Sequence, residues 1–591
     1  MIQLEITTLD WVVLIGYLCI VTVVGLVAAF RVKDTSQYFL GNRRFGKWIM
    51  IAQSFGTGTH AEMPVSLAGA VYSVGLSGIW YQWKNMFATP FYWLIAPLFR
   101  RIRRTTLAEM VEDRYGPWMG AIYTAFALGF LTIAMASMLK GAAKVIGQAA
   151  GGHIPVDSIV VAMTVVFILY SFVGGLIATA WTDFLQGFLI LALSFMLIPL
   201  GWGTVNGIEG IRQTLEASKT SLTTPQGIGL WFIFMLTLNG LIGIVAQPHM
   251  MAAVGTGRDE YTCRVGLLYG TFVKRFCTVG WAIVGLMVAA IVARGSFGVS
   301  GLRDPEEAFG FACRHFLFKG GVGLLIACVL AANMAGCSAF MVDSGALFTR
   351  NFYRRYLAPS RPDRHYLWVG RISGLAVALV GVVYAVLLIQ RVLYSFLLIE
   401  TMATFMGISV TAGVFWRRAN RWGAISSLTV AMTANFVQYY LRHQRFDNWD
   451  PDVFFVSLVL GAATLIVVSL LTPPEPQAAM QSFYTRLQTP SDEAGMAEMT
   501  GMGAQPVPAA AATMSSVAVA TPPTAPLAIS DETDARVAAE GRQLILVNLF
   551  RLFRGAAGHG LRAYRTDLVG FGIGWALAAF LIGLVWLLFR G

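Results

Sequence analysis

The chain alternates long apolar runs with short polar segments, and about 20 apolar residues are what a helix needs to cross roughly 30 Å of hydrocarbon. Runs of this kind fall at about 9–31, 47–73, 77–99, 118–146, 155–174, 177–202, 228–250, 264–293, 320–347, 367–390, 394–416, 422–441, 452–472 and 567–589, about fourteen spans. The pattern predicts an all-α, polytopic membrane bundle. Two runs are interrupted by residues that do not suit a continuous helix. The second carries Gly56-Thr57-Gly58-Thr59-His60-Ala61-Glu62-Met63-Pro64, and the seventh carries Asn239-Gly240, Gly243 and Gln247-Pro248. Taking spans two to six and seven to eleven as halves, about 46–203 and 228–417, puts the interrupted helix first in each, as in a 5+5 inverted repeat. Such breaks free carbonyls and helix ends for ligands near the midplane. The two halves share no residue-level similarity.

Only 13% of residues are charged and 56% are hydrophobic, so the chain cannot cover its apolar surface with polar groups and belongs in a bilayer. A net charge of +12 raises the question of nucleic acid, but its placement answers it. Arg and Lys concentrate in alternate short loops: Arg31 to Lys47, Arg100 to Arg114, Arg258 and Arg264, Arg350 to Arg364, and Arg417 to Arg421. The positive-inside rule places these loops in the cytoplasm of a plasma (inner) membrane protein, with both termini outside and lipid, not nucleic acid, as its surroundings. Glu5 and Asp10 precede the first span without a basic segment, which predicts an uncleaved anchor. The six cysteines lack disulfide or zinc-site spacing and are assigned to packing. Residues 1–472 form the expected bundle. From 473 to 565 the composition turns to Pro, Ala, Met, Ser and Thr, a cytoplasmic linker that ends in a basic amphipathic stretch over 535–565, either interfacial or docked on the bundle, before the last span at 566–591.

A charge near the centre of a membrane helix costs about 2.5–3.5 kcal/mol on insertion scales, so each buried ionisable residue needs a partner or a path. Asp183, in the first turns of span six, is the first such residue: a path acid, or a structural one bonded to a neighbour. His60 and Glu62 sit in the first break, where they carry a proton, clamp a solute, or line a gate. Lys84 either pairs with Glu62 or holds a carboxylate substrate, and otherwise forms an interior salt bridge. Of the adjacent Lys274 and Arg275, at most one faces a cavity. Asn239 in the second break and Glu400 in span eleven complete the candidate solute contacts. Lys140, Lys144, Asp343 and Arg371 lie near span ends and are read as snorkelling to the interface. Trp80, Tyr81, Trp83 and Trp93 either pack or stack on a sugar.

Gly174, Gly175, Ala178, Trp181, Thr182, Asp183 and Gln186 follow a spacing that resembles the fifth-core-helix signature of the sodium:solute symporter family. Further segments are similar to that family: RIRRTTLAEMVEDRYG at Arg101 to Gly116, Gln247 with Ala252-Ala253 and Arg264 to Gly266, LFTRNFYR at Leu347 to Arg354, and GVFWRRANRWGA at Gly413 to Ala424. The resemblance covers roughly 9–472 and implies a leucine-transporter-type fold that alternates access around a central site for a small polar solute, usually driven by sodium. It places sodium between carbonyls of the first break, at Gly56 and Thr59, and positions Ala332, Ala335 and Gly336 of the eighth core helix, with Asp183 near the inner cation route. It also puts a basic residue at Lys274 or Arg275. The two hydroxyl positions of the family are Ala335 and Gly336 here, neither of which has a side-chain oxygen, so the coupling ion stands open between sodium and protons carried through His60 and Glu62. No nucleophile-base or metal-ligand motif suggests an enzyme, and no kinase-type nucleotide loop suggests a sensor. The identity of the solute, the stoichiometry and the oligomeric state are not written in the sequence.

Overall fold

A computed structural model describes residues 7–29, 38–39, 43–150, 155–224, 227–318, 320–389, 391–444, 449–491, 543–548 and 561–590. Among these residues the fold is helical, with one isolated bridge between Phe45 and Gly257. In chain order the helices used below are α1 Thr8–Ala29, α2 Lys47–Thr57, α3 Glu62–Val74, α4 Thr89–Ile102, α5 Leu107–Tyr115, α6 Pro117–Ala149, α7 Val156–Phe195 and α8 Leu197–Val205. They continue as α9 Leu230–Gly243, α10 Glu260–Ala293, α11 Gly321–Leu347, α12 Asp363–Leu387, α13 Val392–Phe415, α14 Arg421–Leu441, α15 Pro451–Leu471, α16 Gln477–Gln488 and α17 Arg565–Phe589. Eight helical stretches among the described residues are individually long and apolar enough to cross a membrane. The others are interrupted or short, which is how broken spans look to a length criterion.

Local sequence sets the ends. Thr106 and Glu109 form a reciprocal capping box at the start of α5. Gly116, at φ 87°, ends α5 and lets Pro117 open α6 in a reversed direction. Asp259, Asn420 and Asp450 cap α10, α14 and α15 through their side chains. The core is built on α11, whose apolar window is entirely buried, while α12 and α17 expose most of theirs. Two groups of helices stand out in the packing, with α3 against α6 and α7 against α2 and α11 joining them. In one, α10 packs against α2, α3 and α4; in the other, α6 packs against α5, α11, α12 and α13, and α9 lies on α13.

Two stretches add detail to what the sequence predicts. Spans 155–174 and 177–202 are joined without a loop: helical backbone runs from Val156 to Phe195 through Gly174-Gly175, because glycine costs a helix only about 1 kcal/mol and no proline is present to stop it. A straight helix of that length would reach about 60 Å, twice the hydrocarbon thickness. The start of α7 and the end of α8, which follows it, nevertheless lie on one side of the molecule. Asp157 pairs with Lys140 near the end of α6, and α8, which continues α7, packs where α10 ends, with Arg294 donating to the Val205 carbonyl. The ends of α6 and α10 share that side, because Lys144 reaches Asp304 and Glu306 in the segment that follows Arg294. The chain therefore turns back within this stretch.

The first part of the 473–565 segment is also not free chain. α16 folds back on the bundle with Phe483, Tyr484 and Leu487 buried, a helical spacing that composition averaged over the whole segment hides. Of the amphipathic stretch over 535–565, most lies outside the described residues.

Candidate functional site

Both breaks open onto one cavity of about 60 Å³, small beside the several hundred Å³ of a drug-sized site. α2 stops at Thr57, Gly58 to Ala61 leave the helix, and α3 restarts at Glu62. α9 tightens into a 3-10 turn at Ile244–Ala246, and Pro248, which lacks an N–H, falls in the gap before the next helical turn at Met250. The polar lining comes from His60 and Glu62 of the first break, Gln247 and His249 of the second, Lys274 of α10, Ser137 of α6 and Glu400 of α13. Phe130, Phe340 and Phe396 supply the apolar wall. The two breaks meet on Phe340, whose ring takes His60 edge-on at 5.7 Å and stacks on His249 at 5.2 Å.

Lys274 lines the cavity, and its neighbour Arg275 turns away to donate to the Gln82 carbonyl at 2.6 Å. Lys84 does not pair with Glu62. Its Nζ lies 3.0 Å from Glu400 Oε2, which also accepts from Gln247 Nε2 at 2.9 Å. Glu400 is therefore a neutralised member of a buried network, and Phe396 covers the Lys84 ammonium at 4.6 Å. Asn239 is not among the residues that line this cavity. Its side-chain amide donates to Thr401 Oγ1 at 3.2 Å and its carbonyl accepts from Thr404 Oγ1 at 2.8 Å, whereas its Oδ1 has no hydrogen-bond partner among the described residues.

The cation positions divide into two clusters. Gly56 lies against Asp183: a Cβ on Gly56 would stand 3.2 Å from the Asp183 Cβ, and Thr57 Oγ1 donates to Asp183 Oδ2 at 3.5 Å. Asp183 is fully buried, and its Oδ1, Ser54 Oγ, Thr59 Oγ1 and Gln186 Oε1 are buried oxygens without a hydrogen-bond partner among the described residues. Oxygen donors are what a hard cation takes. On α11, Ala332 and Ala335 are buried, and Gly336 lies under the His60 imidazole so closely that a Cβ there would collide with Nδ1. An imidazole thus covers the position where the resemblance calls for a hydroxyl.

Other readings change as well. Asp343 does not reach an interface; it is 6% exposed, its Oδ2 without a hydrogen-bond partner among the described residues, because its place on α11 is in the bundle interior. Lys140 and Lys144 form ion pairs, and Arg371 lies over Tyr38 and Trp368. The tryptophans are packing residues: Trp83 donates to Thr278 Oγ1 at 2.7 Å, Trp80 to the Leu222 carbonyl and Trp93 to the Thr566 carbonyl. His249 was missed. Its signal was the Gln-Pro-His run, in which the residue after the helix-breaking proline is the one delivered to the cavity.

The chain is similar to known proteins over most of its length. The sodium/proline symporter of Haemophilus influenzae is 24% identical over 78% of this chain and 94% of its own length. The sodium/proline symporter of Salmonella typhimurium is 25% identical over 78% and 93%. The rat sodium/myo-inositol cotransporter 2 is 24% identical over 81% and 79%. A Na+-coupled sialic acid symporter, solved in a substrate-bound outward-open state, shares the fold with a TM-score of 0.69 at 18% identity, over 80% of this chain and 99% of that one. The family model of the sodium:solute symporters matches residues 38–431, and with that match the chain belongs to the sodium:solute symporter family, as a cation-coupled, sodium-driven transporter of a solute and not an enzyme.

Proposed function

We propose that the cavity between the two breaks is the central site of a fourteen-span transporter with a 5+5 repeat, and that its solute is a small dipolar molecule carrying a carboxylate and an amine. The observation that carries this reading is the pairing of charges. Glu400 and Lys84 form an ion pair, whereas Glu62 and Lys274 both line the cavity, belong to different helices and have no ion-pair partner within 4.0 Å among the described residues. A carboxylate on Lys274 and an amine on Glu62 would satisfy both, and the phenylalanines would cover a compact apolar body. The proline carried by two of the relatives is a solute of this class; myo-inositol and sialic acid are not.

Sodium, as co-transported cation, is proposed to bind on the α2–α7 side, where Asp183 and Thr57 meet and Thr59 offers an unpartnered oxygen, instead of on α11. Binding there would fix the first break and so the orientation of Glu62. Access would alternate as the body of α2, α3, α4 and α10 moves against the body of α5, α6, α11, α12 and α13. The basic loops would lie in the cytoplasm, both termini outside, with 1–472 as the transporting bundle and 566–591 as an added span.

Equilibrium binding tests the solute class. Purified protein in sodium should be protected against thermal unfolding by a small zwitterionic amino acid, and not by the matching des-amino acid, amine or polyol. Protection by the polyol alone would remove the proposed roles of Lys274 and Glu62.

A further inference from the structure

The chain that leaves α15 is fastened along the face opposite Lys144 and Arg294. Glu475 accepts from Arg421 Nη2 at 2.6 Å and from its backbone N–H at 2.8 Å. Tyr484 donates to the Gly413 carbonyl at 2.7 Å, an oxygen that also accepts from Arg114 Nε at 2.9 Å. Arg486 lies 2.8 Å from Asp113. These partners belong to α5, to the end of α13 and to the start of α14. The last turn then crosses over. Arg101 Nη1 donates to the Leu487 and Gln488 carbonyls, both at 3.2 Å, Ser491 N–H donates to Glu260 Oε1 at 2.8 Å, and Arg103 Nη2 donates to the Ser491 carbonyl. Arg101 and Glu260, themselves paired at 2.9 Å, end α4 and begin α10.

One short segment therefore holds both bodies, one through 475–486 and the other through 487–491. We propose that residues 473–491 are a latch that keeps the central cavity closed on this face and lets go at 487–491 when it opens. The proposal rests on the reading that the two bodies move against each other. The crossing contacts are a few hydrogen bonds to main-chain atoms at a helix end, each worth about fivefold in an equilibrium, so they bias an opening without forbidding it.

Cys337 reports the opening, since it is fully buried on α11 with Sγ 3.9 Å from Met138 Sδ, a residue of the cavity wall. With the other five cysteines replaced, its alkylation by a membrane-impermeant maleimide is measured from the latch face, in inside-out vesicles, on the full chain. Ser491→Pro removes the N–H that Glu260 accepts, whereas Ser491→Ala keeps it. Arg103 holds φ at 57°, so Arg103→Gly removes the guanidinium at a position whose backbone suits glycine. Ser491→Pro and Arg103→Gly should each alkylate about fivefold faster than wild type, and Ser491→Ala at the wild-type rate. Should Ser491→Pro fail to insert, Arg103→Gly decides alone. Equal rates in the wild type and in every inserted variant overturn the latch. Failure of the two-body reading is seen separately, as a wild-type Cys337 rate that sodium and solute leave unchanged.

Discussion

Lys84 Nζ and Glu400 Oε2 stand 3.0 Å apart, with side chains 1% and 9% exposed, and Gln247 adds a second donor to the same oxygen. The pair joins the segment between α3 and α4 to α13 beside the second break. Removing one partner of a buried pair strands the other, at a cost of about 3–5 kcal/mol. Glu400→Gln should therefore lower the thermal unfolding midpoint of the detergent-purified protein clearly. Lys84→Met combined with Glu400→Gln should recover most of the loss; a double variant no better than the single would mean the pair is not coupled.

Gly336 and His60 exclude a simple repair of the cation site. A serine at 336 would place its Cβ on the imidazole, so Gly336→Ser should destabilise by about 1–3 kcal/mol, as overpacked cores do. Combining it with His60→Ala should restore the wild-type midpoint. A stable Gly336→Ser single variant with unchanged transport would contradict the contact.

Asp183 is a buried acid beside the first break, with Thr57 as its hydrogen-bond donor. Asp183→Asn keeps size and hydrogen bonding while removing the carboxylate. The sodium concentration for half-maximal uptake should rise about tenfold or more, the equivalent of roughly 1.4 kcal/mol. Unchanged sodium dependence would return Asp183 to a structural role.

Glu475 sits outside the membrane spans. Burial alone would raise its carboxyl, but the hydrogen bonds and charge of Arg421 outweigh burial and hold it below the ordinary carboxylate range. A carboxylate lowered in the folded state contributes stability above its unfolded pKa and loses it as pH falls through the folded one. The difference in unfolding midpoint between wild type and Glu475→Gln should therefore be constant from pH 8 to about 5 and shrink in stronger acid. A difference that disappears between pH 7 and 6 would assign it to another group.

Much of the bundle was legible because long apolar runs and helix-breaking residues act locally: the break at Gly56 to Pro64 is one of composition. The partner of Lys84 was not legible, since Glu400 lies more than 300 residues away and only packing brings it there. Asn239 was read as a solute contact because a polar residue at a break suits one, but such a residue serves its neighbours as well, and here its amide and carbonyl bond to α13. Asp343 was misread because sequence gives distance from a helix end but not which side of the helix faces lipid. α16 was overlooked because four apolar residues at helical spacing were averaged into a Pro- and Ala-rich segment.

Sodium-driven uptake of a labelled small zwitterionic amino acid into proteoliposomes, compared among wild type, Lys274→Gln and Glu62→Gln, tests the central claim most directly. The account predicts accumulation that requires an inward sodium gradient in the wild type, is lost in Lys274→Gln and Glu62→Gln, and is competed by zwitterions but not by des-amino acids or polyols. Equal accumulation in all three proteins, or wild-type uptake competed by a polyol and indifferent to zwitterions, would contradict it.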